Sequence, residues 1–246
     1  MNILVCIKMV QDRLSGKPVY RMNTNDKNAL QMALTVKKQL GDAKITVLSL
    51  GPEAVMDSLQ ELYVYQVDSV VLISDPAFAG SDTLATSLIL ESAIHYLGDY
   101  DIVFCGCRSS DGSTGQVAPE LATRLGYFML SNVIDCEISE NRIRCTELFD
   151  DCVQRIEIEL SVVVSVVMNC NKLRVPTLWD IVYGYNKYVI LLTNSELMIE
   201  REKCGVMGSP TKVLKTEKVE HSLKGEIFFV EQEGVLKIVE LLRDNL

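Results

Sequence analysis

The chain has 246 residues, 48% of them apolar, and a formal net charge of −9. That length and apolar content suit one large domain, or one domain with an extension, around a sizeable core. The acidic balance argues against nucleic acid and anionic membrane as main partners, and no run approaches the ~18 uninterrupted apolar residues of a membrane span.

In chain order, strand-like and helix-like stretches alternate. Residues 2–8 (NILVCIK) form a short apolar run of the buried-strand kind. They follow no basic segment with a long apolar core, so no signal peptide and a cytoplasmic location are expected. Residues 9–22 are polar, contain Gly16 and Pro18, and read as a loop. Residues 23–40 read as a helix capped by Asn23, Asn25 or Asp26. Its apolar stripe is Ala29, Leu30, Ala33, Leu34 and Leu40, with Lys37 and Lys38 in solvent. Strands at 44–51 and 69–74 alternate with helices at 52–65, opened by Pro52, and at 82–97, capped by Asp82. Such alternation predicts a mainly parallel sheet covered on both faces, a three-layer αβα fold.

The stretch 101–125 (DIVFCGCRSSDGSTGQVAPELATRL) is the most informative for function. Residues 101–106 are a fourth buried strand and 107–114 a turn-rich loop. Residues 115–125 form a helix with Val117, Leu121 and Leu125 on one face. Unpaired N–H groups at the start of that helix, its dipole, and Gly112 and Gly115 make an anion-binding corner. A phosphate or pyrophosphate fits it. The stretch matches neither GxxxxGK[ST] nor GxGxxG, so an ordinary strand-to-helix turn remains the other reading.

Beyond Gly126 the pattern changes. Residues 130–139, 142–149 and 152–160 read as strands joined by tight turns, an antiparallel excursion at the sheet edge with Arg142, Arg144 and Arg155 in solvent. Residues 161–168 return to a buried strand, and 169–186, with the only Trp, read as irregular. After 189–192 the rhythm is lost. Residues 205–215 form a loop, and 231–243 an amphipathic helix with Val235, Ile238, Val239 and Leu242 on one face. That helix packs either on a partner chain or on its own domain.

The eight cysteines follow no regular spacing, and the close pair Cys105 and Cys107 is CxC rather than CxxC. They read as reduced thiols. Two histidines, His95 and His221, without clustered ligands give no expectation of a metal site. The chain also shows no Ser/His/Asp set and no P-loop lysine, so no catalytic residues are expected.

These stretches resemble the β subunit of electron-transfer flavoproteins, including the related Fix-type proteins, over nearly the whole chain. Asp111-Gly112-Ser113-Thr114-Gly115-Gln116-Val117-Ala118-Pro119-Glu120 resembles the family's Asp-Gly-Asp-Thr-Gly-Gln-Val-Gly-Pro-Glu signature. The run from Asn23 to Leu30 resembles its Asn-Pro-Tyr/Phe-Asp helix entry, without the proline and the aromatic. Val10-Gln11-Asp12 resembles Val-Pro-Asp, and Leu48-Ser49-Leu50-Gly51-Pro52 the end of the second strand. FAGSDTLAT at 78–86 is close to the family text, and Gly208-Ser209-Pro210-Thr211-Lys212-Val213 resembles a segment of the prokaryotic and bifurcating branches. Asn171-Lys172-Leu173-Arg174-Val175-Pro176-Thr177-Leu178 resembles Asn-Glu-Pro-Arg-Tyr-Pro-Thr-Leu, and Cys107-Arg108-Ser109-Ser110 replaces Arg-Gln-Ala-Ile.

The resemblance implies an adenine-nucleotide hydrolase-like α/β domain at 1–192, and at 193–246 a C-terminal arm and helix packing on a partner subunit. It implies a heterodimer with an α subunit carrying FAD. The β subunit would hold an adenine nucleotide, FAD in bifurcating members and AMP in conventional ones. Carried over by position, Cys6 and Lys8 lie beside the adenine, and Asn23, Asn25, Asp26 and Leu50 line the same pocket. Gly106 and Arg108 border the phosphates. Asp111, Gly112, Ser113, Thr114, Gly115, Gln116 and Val117 hold them, through backbone N–H groups and the Thr114 hydroxyl. Arg174, Pro176, Thr177 and Leu178 would form the docking element for a flavin-dependent dehydrogenase. Leu178 also has a plainer reading as a core leucine. An ATP-using enzyme of the same fold and a nucleotide-sensing module are the rival functions.

Overall fold

The computed structural model describes residues 1–12, 19–215 and 232–243. The chain divides into two compact units, residues 1–212 and 213–246.

The first unit is built on a nine-stranded sheet. Its parallel part comprises β1 (Asn2–Cys6), β4 (Lys44–Leu50), β5 (Ser69–Ile73), β6 (Ile102–Gly106), β7 (Phe128–Ser139), β10 (Val162–Val166) and β11 (Ile190–Leu192). β8 (Arg142–Leu148) and β9 (Val153–Glu159) extend it antiparallel from β7. The order is β11-β5-β4-β1-β6-β10-β7-β8-β9. The fold is therefore the expected three-layer α/β arrangement with an antiparallel edge.

Near-continuous apolar runs make this sheet, because both of its faces are covered. Alternate side chains go to opposite faces. Ile3, Val5, Ile45, Val47, Ile102 and Phe104 pack with Leu30 and Ala33 of α1 (Thr24–Leu40) and Leu59 of α2 (Met56–Gln60). Leu4, Leu48, Val71, Val103 and Cys105 pack with Ile89 and Ile94 of α3 (Thr83–Leu97) and Leu121 of α4 (Val117–Leu125). The excursion alternates instead, and Arg142, Arg144 and Arg155 face solvent as expected.

The strand order places β1 between β4 and β6. The chain runs outward from β1 through β4 to β5, then returns across β1 to β6. Ligands of open α/β sheets bind outside the carboxyl ends of the strands at such a reversal. Here those ends are Cys6 and Gly106, and Cys6 is in register with Cys105.

Several local expectations are corrected. Residues 9–22 are not simply a loop. Met9–Asp12 and Val19–Met22 pair antiparallel as β2 and β3, and 13–18, with Gly16 and Pro18, lie outside the described residues. Lys37 is only partly solvated. Its ammonium lies 2.6 Å from Asp68, whose carboxylate also accepts the Ile45 N–H at 2.7 Å. The fourth repeat's helix starts at Val117 rather than Gly115, because Gly115 has φ +67° and cannot continue it. The 169–186 stretch contains α5 (Leu178–Gly184), and α6 (Asn194–Leu197) follows β11. Asp82 caps α3 as expected, accepting the Ala85 N–H at 3.1 Å.

In the second unit α7 (Gln232–Arg243) exposes Val235, Leu236, Ile238, Val239 and Leu242. Among the described residues no helix is long and apolar enough to cross a membrane.

Candidate functional site

The start of α1 and the end of β6 touch almost directly. A Cβ on Gly106 would run into Asp26 Oδ1 and lie 2.7 Å from Asn25 Cβ. Only glycine lets the helix entry close over the strand end.

Asp26 is the buried centre of this junction. Its carboxylate accepts the Lys8 N–H at 2.7 Å and the Asn23 amide at 2.9 Å, and the Gly106 N–H also donates to it. Burial outweighs these bonds and raises its pKa to about 7.

Two buried amides reach from the helix entry to the loop. Asn23 and Asn25 both donate to the Arg108 carbonyl, at 3.0 and 2.6 Å. Asn23 also accepts the Ser110 N–H at 3.1 Å, and its own N–H bonds the Lys8 carbonyl at 2.9 Å. Asn23, the residue before α1, makes no cap bond with its side chain. That side chain is committed to the loop instead. Arg108 thus contributes its carbonyl, while its guanidinium is exposed and makes no ion pair among the described residues.

The loop from Cys107 to Gln116 is exposed for most of its length and folded on itself. Ser109 accepts the Ser113 N–H and hydroxyl, each at 3.0 Å, and its hydroxyl accepts the Gly112 N–H at 3.3 Å. Ser113 and Gly115 take positive φ, +53° and +67°. A Cβ on Gly115 would sit 3.1 Å from the Cys107 carbonyl. Lys8 closes the loop from below through an ion pair with Asp111 at 2.7 Å. Burial pushes the Asp111 carboxyl up, but bonds from Lys8, Ser109 and the Gly112 N–H outweigh it and hold the pKa at about 2. The pair also offsets the one negative charge in a loop that would face phosphate. Thr114 and Gln116 are exposed. Thr83 donates to Gln116 at 3.3 Å and to Glu120 at 3.0 Å, joining α3 to the start of α4.

Cys6 and Leu50 are half-buried at neighbouring strand ends. A hydrogen bond with Cys6, then burial, pushes the Cys105 thiol up. A thiol held protonated at Cys105 suits a buried wall rather than a nucleophile. The structure thus brings Cys6, Lys8, Asn23, Asn25, Asp26, Gly106, Arg108 and Asp111 together at the ends of β1 and β6. Backbone N–H groups at such a turn suit an anion.

The predicted docking residues form a second structure. Arg174 grips Asp180 with two bonds, at 2.8 and 3.0 Å. Asp180 is buried and also accepts the Thr177 N–H at 2.7 Å, the Thr177 hydroxyl at 2.9 Å, and the Gln66 amide. The guanidinium, with these donors, holds the Asp180 carboxyl well below the usual carboxylate range. Thr177 and Asp180 form a capping box. Braced this way, α5 presents Leu178 and Trp179 outward, 80% and 81% exposed. Leu178 is no core leucine within this chain. Asp180 was missed at the sequence level, although Thr-Leu-Trp-Asp carries the spacing of a capping box. Asn28 was missed too. It is buried, with its amide 2.7 Å from the Asn171 carbonyl, and it ties the docking segment to α1. No local signal marks it.

Arg174→Met is expected to speed amide exchange in α5 roughly tenfold or more, because Asp180 loses its counter-ion while staying enclosed. Hydrogen exchange on the intact chain checks this, and unchanged exchange in 178–184 would show that the brace is not what holds the helix.

The chain is thus an open α/β protein with a glycine-bearing loop at the sheet's reversal point. The sequence profile described as the electron transfer flavoprotein domain matches residues 16–178. The chain is 35% identical to the electron transfer flavoprotein subunit beta of Thermoanaerobacterium thermosaccharolyticum, covering 100% of this chain and 99% of that protein. It is 32% identical to the acryloyl-CoA reductase electron transfer subunit gamma of Anaerotignum propionicum, covering 88% of each. It is 29% identical to the caffeyl-CoA reductase-Etf complex subunit CarD of Acetobacterium woodii, over 88% of this chain and 87% of that one. The chain belongs to the electron transfer flavoprotein family.

Proposed function

We propose that the chain is the nucleotide-holding subunit of a heterodimeric electron transfer flavoprotein, with its α subunit as partner. The observation that carries this reading is the loop from Cys107 to Gln116, fixed at the sheet's reversal point by buried amides and the Lys8–Asp111 pair. Cys6, Lys8, Asn23, Asn25, Asp26, Leu50 and Gly106 form its floor. Gly112 and Ser113 shape the turn through their bonds to Ser109, and Thr114, Gly115, Gln116 and Val117 would offer backbone N–H groups and the Thr114 hydroxyl to phosphate.

Our reading favours FAD over AMP in this site. The segment resembling the bifurcating branch supports it. Ser209 accepts the Asp82 N–H at 2.8 Å, and the Thr211 N–H reaches the Asp82 carboxylate at 2.9 Å. Thr83, next in line, bonds Gln116. The segment is thus joined to the end of the loop. A bound flavin would supply two-electron acceptance and one-electron release, the chemistry a bifurcating complex needs. The residues named bind it, orient it and neutralise its phosphates. AMP, in a conventional carrier, is the second reading.

The test is co-expression with the α subunit, denaturation of the purified complex, and quantification of released nucleotides. Two FAD and no AMP per heterodimer is the expected result. One FAD with one AMP would overturn the bifurcating form, and one FAD alone would overturn the nucleotide site itself.

The exposed face of α5, with Arg174, Pro176, Thr177 and Leu178 at its base, is proposed to dock a flavin-dependent dehydrogenase. Relatives named as subunits of acryloyl-CoA and caffeyl-CoA reductase systems support an acyl-CoA oxidoreductase as that partner. Leu178→Ala is expected to reduce electron transfer to the partner roughly tenfold, as loss of a central apolar anchor does. Tm should not move, because the side chain is already in solvent. Steady-state kinetics with varied partner concentration reads this as a raised KM, and an unchanged KM would place docking elsewhere.

A further inference from the structure

Asn25 is an odd residue for its position. It is buried at 6% exposure in the first turn of a helix, where asparagine is a poor helix former. Its amide N–H donates to the Arg108 carbonyl at 2.6 Å, which Asn23 already serves at 3.0 Å. Its amide oxygen is buried with no partner. An unpaired buried acceptor lowers stability. The family motif that this stretch resembles carries an aromatic here. Stability alone would favour an apolar side chain packed against Gly106.

We propose that Asn25 is a positioning residue for the nucleotide loop, one that presets the path of residues 107–116 before any ligand arrives, at a cost in fold stability. The proposal rests on the nucleotide reading above and deepens it. Three ties fix the first half of the loop: Asn23 and Asn25 on the Arg108 carbonyl, Asn23 on the Ser110 N–H, and Lys8 on Asp111. Without the second donor the Arg108 carbonyl keeps a bond to Asn23, so no polar group is orphaned. The loop is instead released from one of its anchors. A loop already ordered loses less freedom when phosphate binds, so the anchor raises affinity beyond any contact Asn25 makes in the floor of the site. Glycine-rich, exposed and charged, this loop lacks the apolar contacts that would otherwise order it.

The variant is Asn25→Leu, similar in shape and without polar atoms, made in the chain co-expressed with its α subunit. Three readouts separate positioning from plain structural support. Amide exchange of 107–113 in the nucleotide-stripped complex should quicken about five- to tenfold, the size of one lost hydrogen bond. Affinity for added AMP and FAD should fall by a similar factor. Tm should stay level or rise. Asn25→Ser, which keeps a small hydroxyl donor at shorter reach, should fall between. A lowered Tm with unaltered loop exchange would mean that Asn25 merely supports the fold and would overturn the proposal. So would faster exchange with undiminished affinity. If the wild-type complex itself bound neither AMP nor FAD, the nucleotide reading would fail, and the exchange data would still decide whether the anchor exists.

Discussion

Gly106→Ala is expected to lower Tm by roughly 5–10 °C and to weaken nucleotide retention at the proposed site. The added methyl has nowhere to go. Its neighbours would be Asp26 Oδ1, on a carboxylate held by the Asn23 amide and the Lys8 N–H, with Asn25 Cβ at 2.7 Å and the Asn25 carbonyl carbon at 2.8 Å, which belong to the helix itself. Either β6 or the start of α1 must retreat. In retreating, the junction loses the Gly106 N–H bond to a buried carboxylate and moves the amides that hold Arg108. Gly112→Ala is the matched control. Its nearest neighbour would be the Ser109 hydroxyl at 3.5 Å, so Tm should hold within about 1–2 °C. Scanning calorimetry of the two variants decides the matter, and equal melting would show that the helix–strand contact yields easily.

Asp26 is expected to make stability fall with rising pH across neutrality. Its pKa is about 7 in the folded chain against 3.8 for the free side chain. Between those values the folded chain holds a proton that the unfolded chain has released. The group's contribution is complete below about pH 4 and is lost as pH climbs through 7. The total is up to about 4 kcal/mol, from about three units at 1.36 kcal/mol each. Asp111, held at about 2, is ionised throughout and adds no slope in this window. Denaturant melts of wild type and Asp26→Asn between pH 5 and 8 isolate the effect. The variant should gain on wild type as pH rises. A constant difference would mean that Asp26 ionises like an exposed carboxylate, its three N–H donors having compensated its burial.

The repeating strands and helices were legible in the sequence because their causes are local. Apolar runs such as NILVCIK and DIVFCG bury on both faces wherever the sheet places them. Asp82 caps the helix that follows it, and a glycine-bearing turn before an amphipathic stretch makes an anion corner from neighbours in the chain. The resemblance carried by Asp111-Gly112-Ser113-Thr114-Gly115-Gln116-Val117 pointed to the same loop. Where pattern was weak, the reading failed for physical reasons. The β2–β3 pair rests on cross-strand bonds between short polar segments, and α5 on a capping box joined to a distant arginine.

What the sequence determined by itself is therefore the sheet, its parallel sense, and the glycine-bearing loop proposed to meet the ligand. Tertiary structure alone decided who holds that loop. Asn25 meets Arg108 from 83 positions away, and Asn28 meets Asn171 from 143. No periodicity encodes such pairs. Strand order sets them, by bringing the ends of β1 and β6 side by side and closing the start of α1 over both. Polar side chains are short and their bonds directional, so their partners follow from where the packed apolar core puts the backbone.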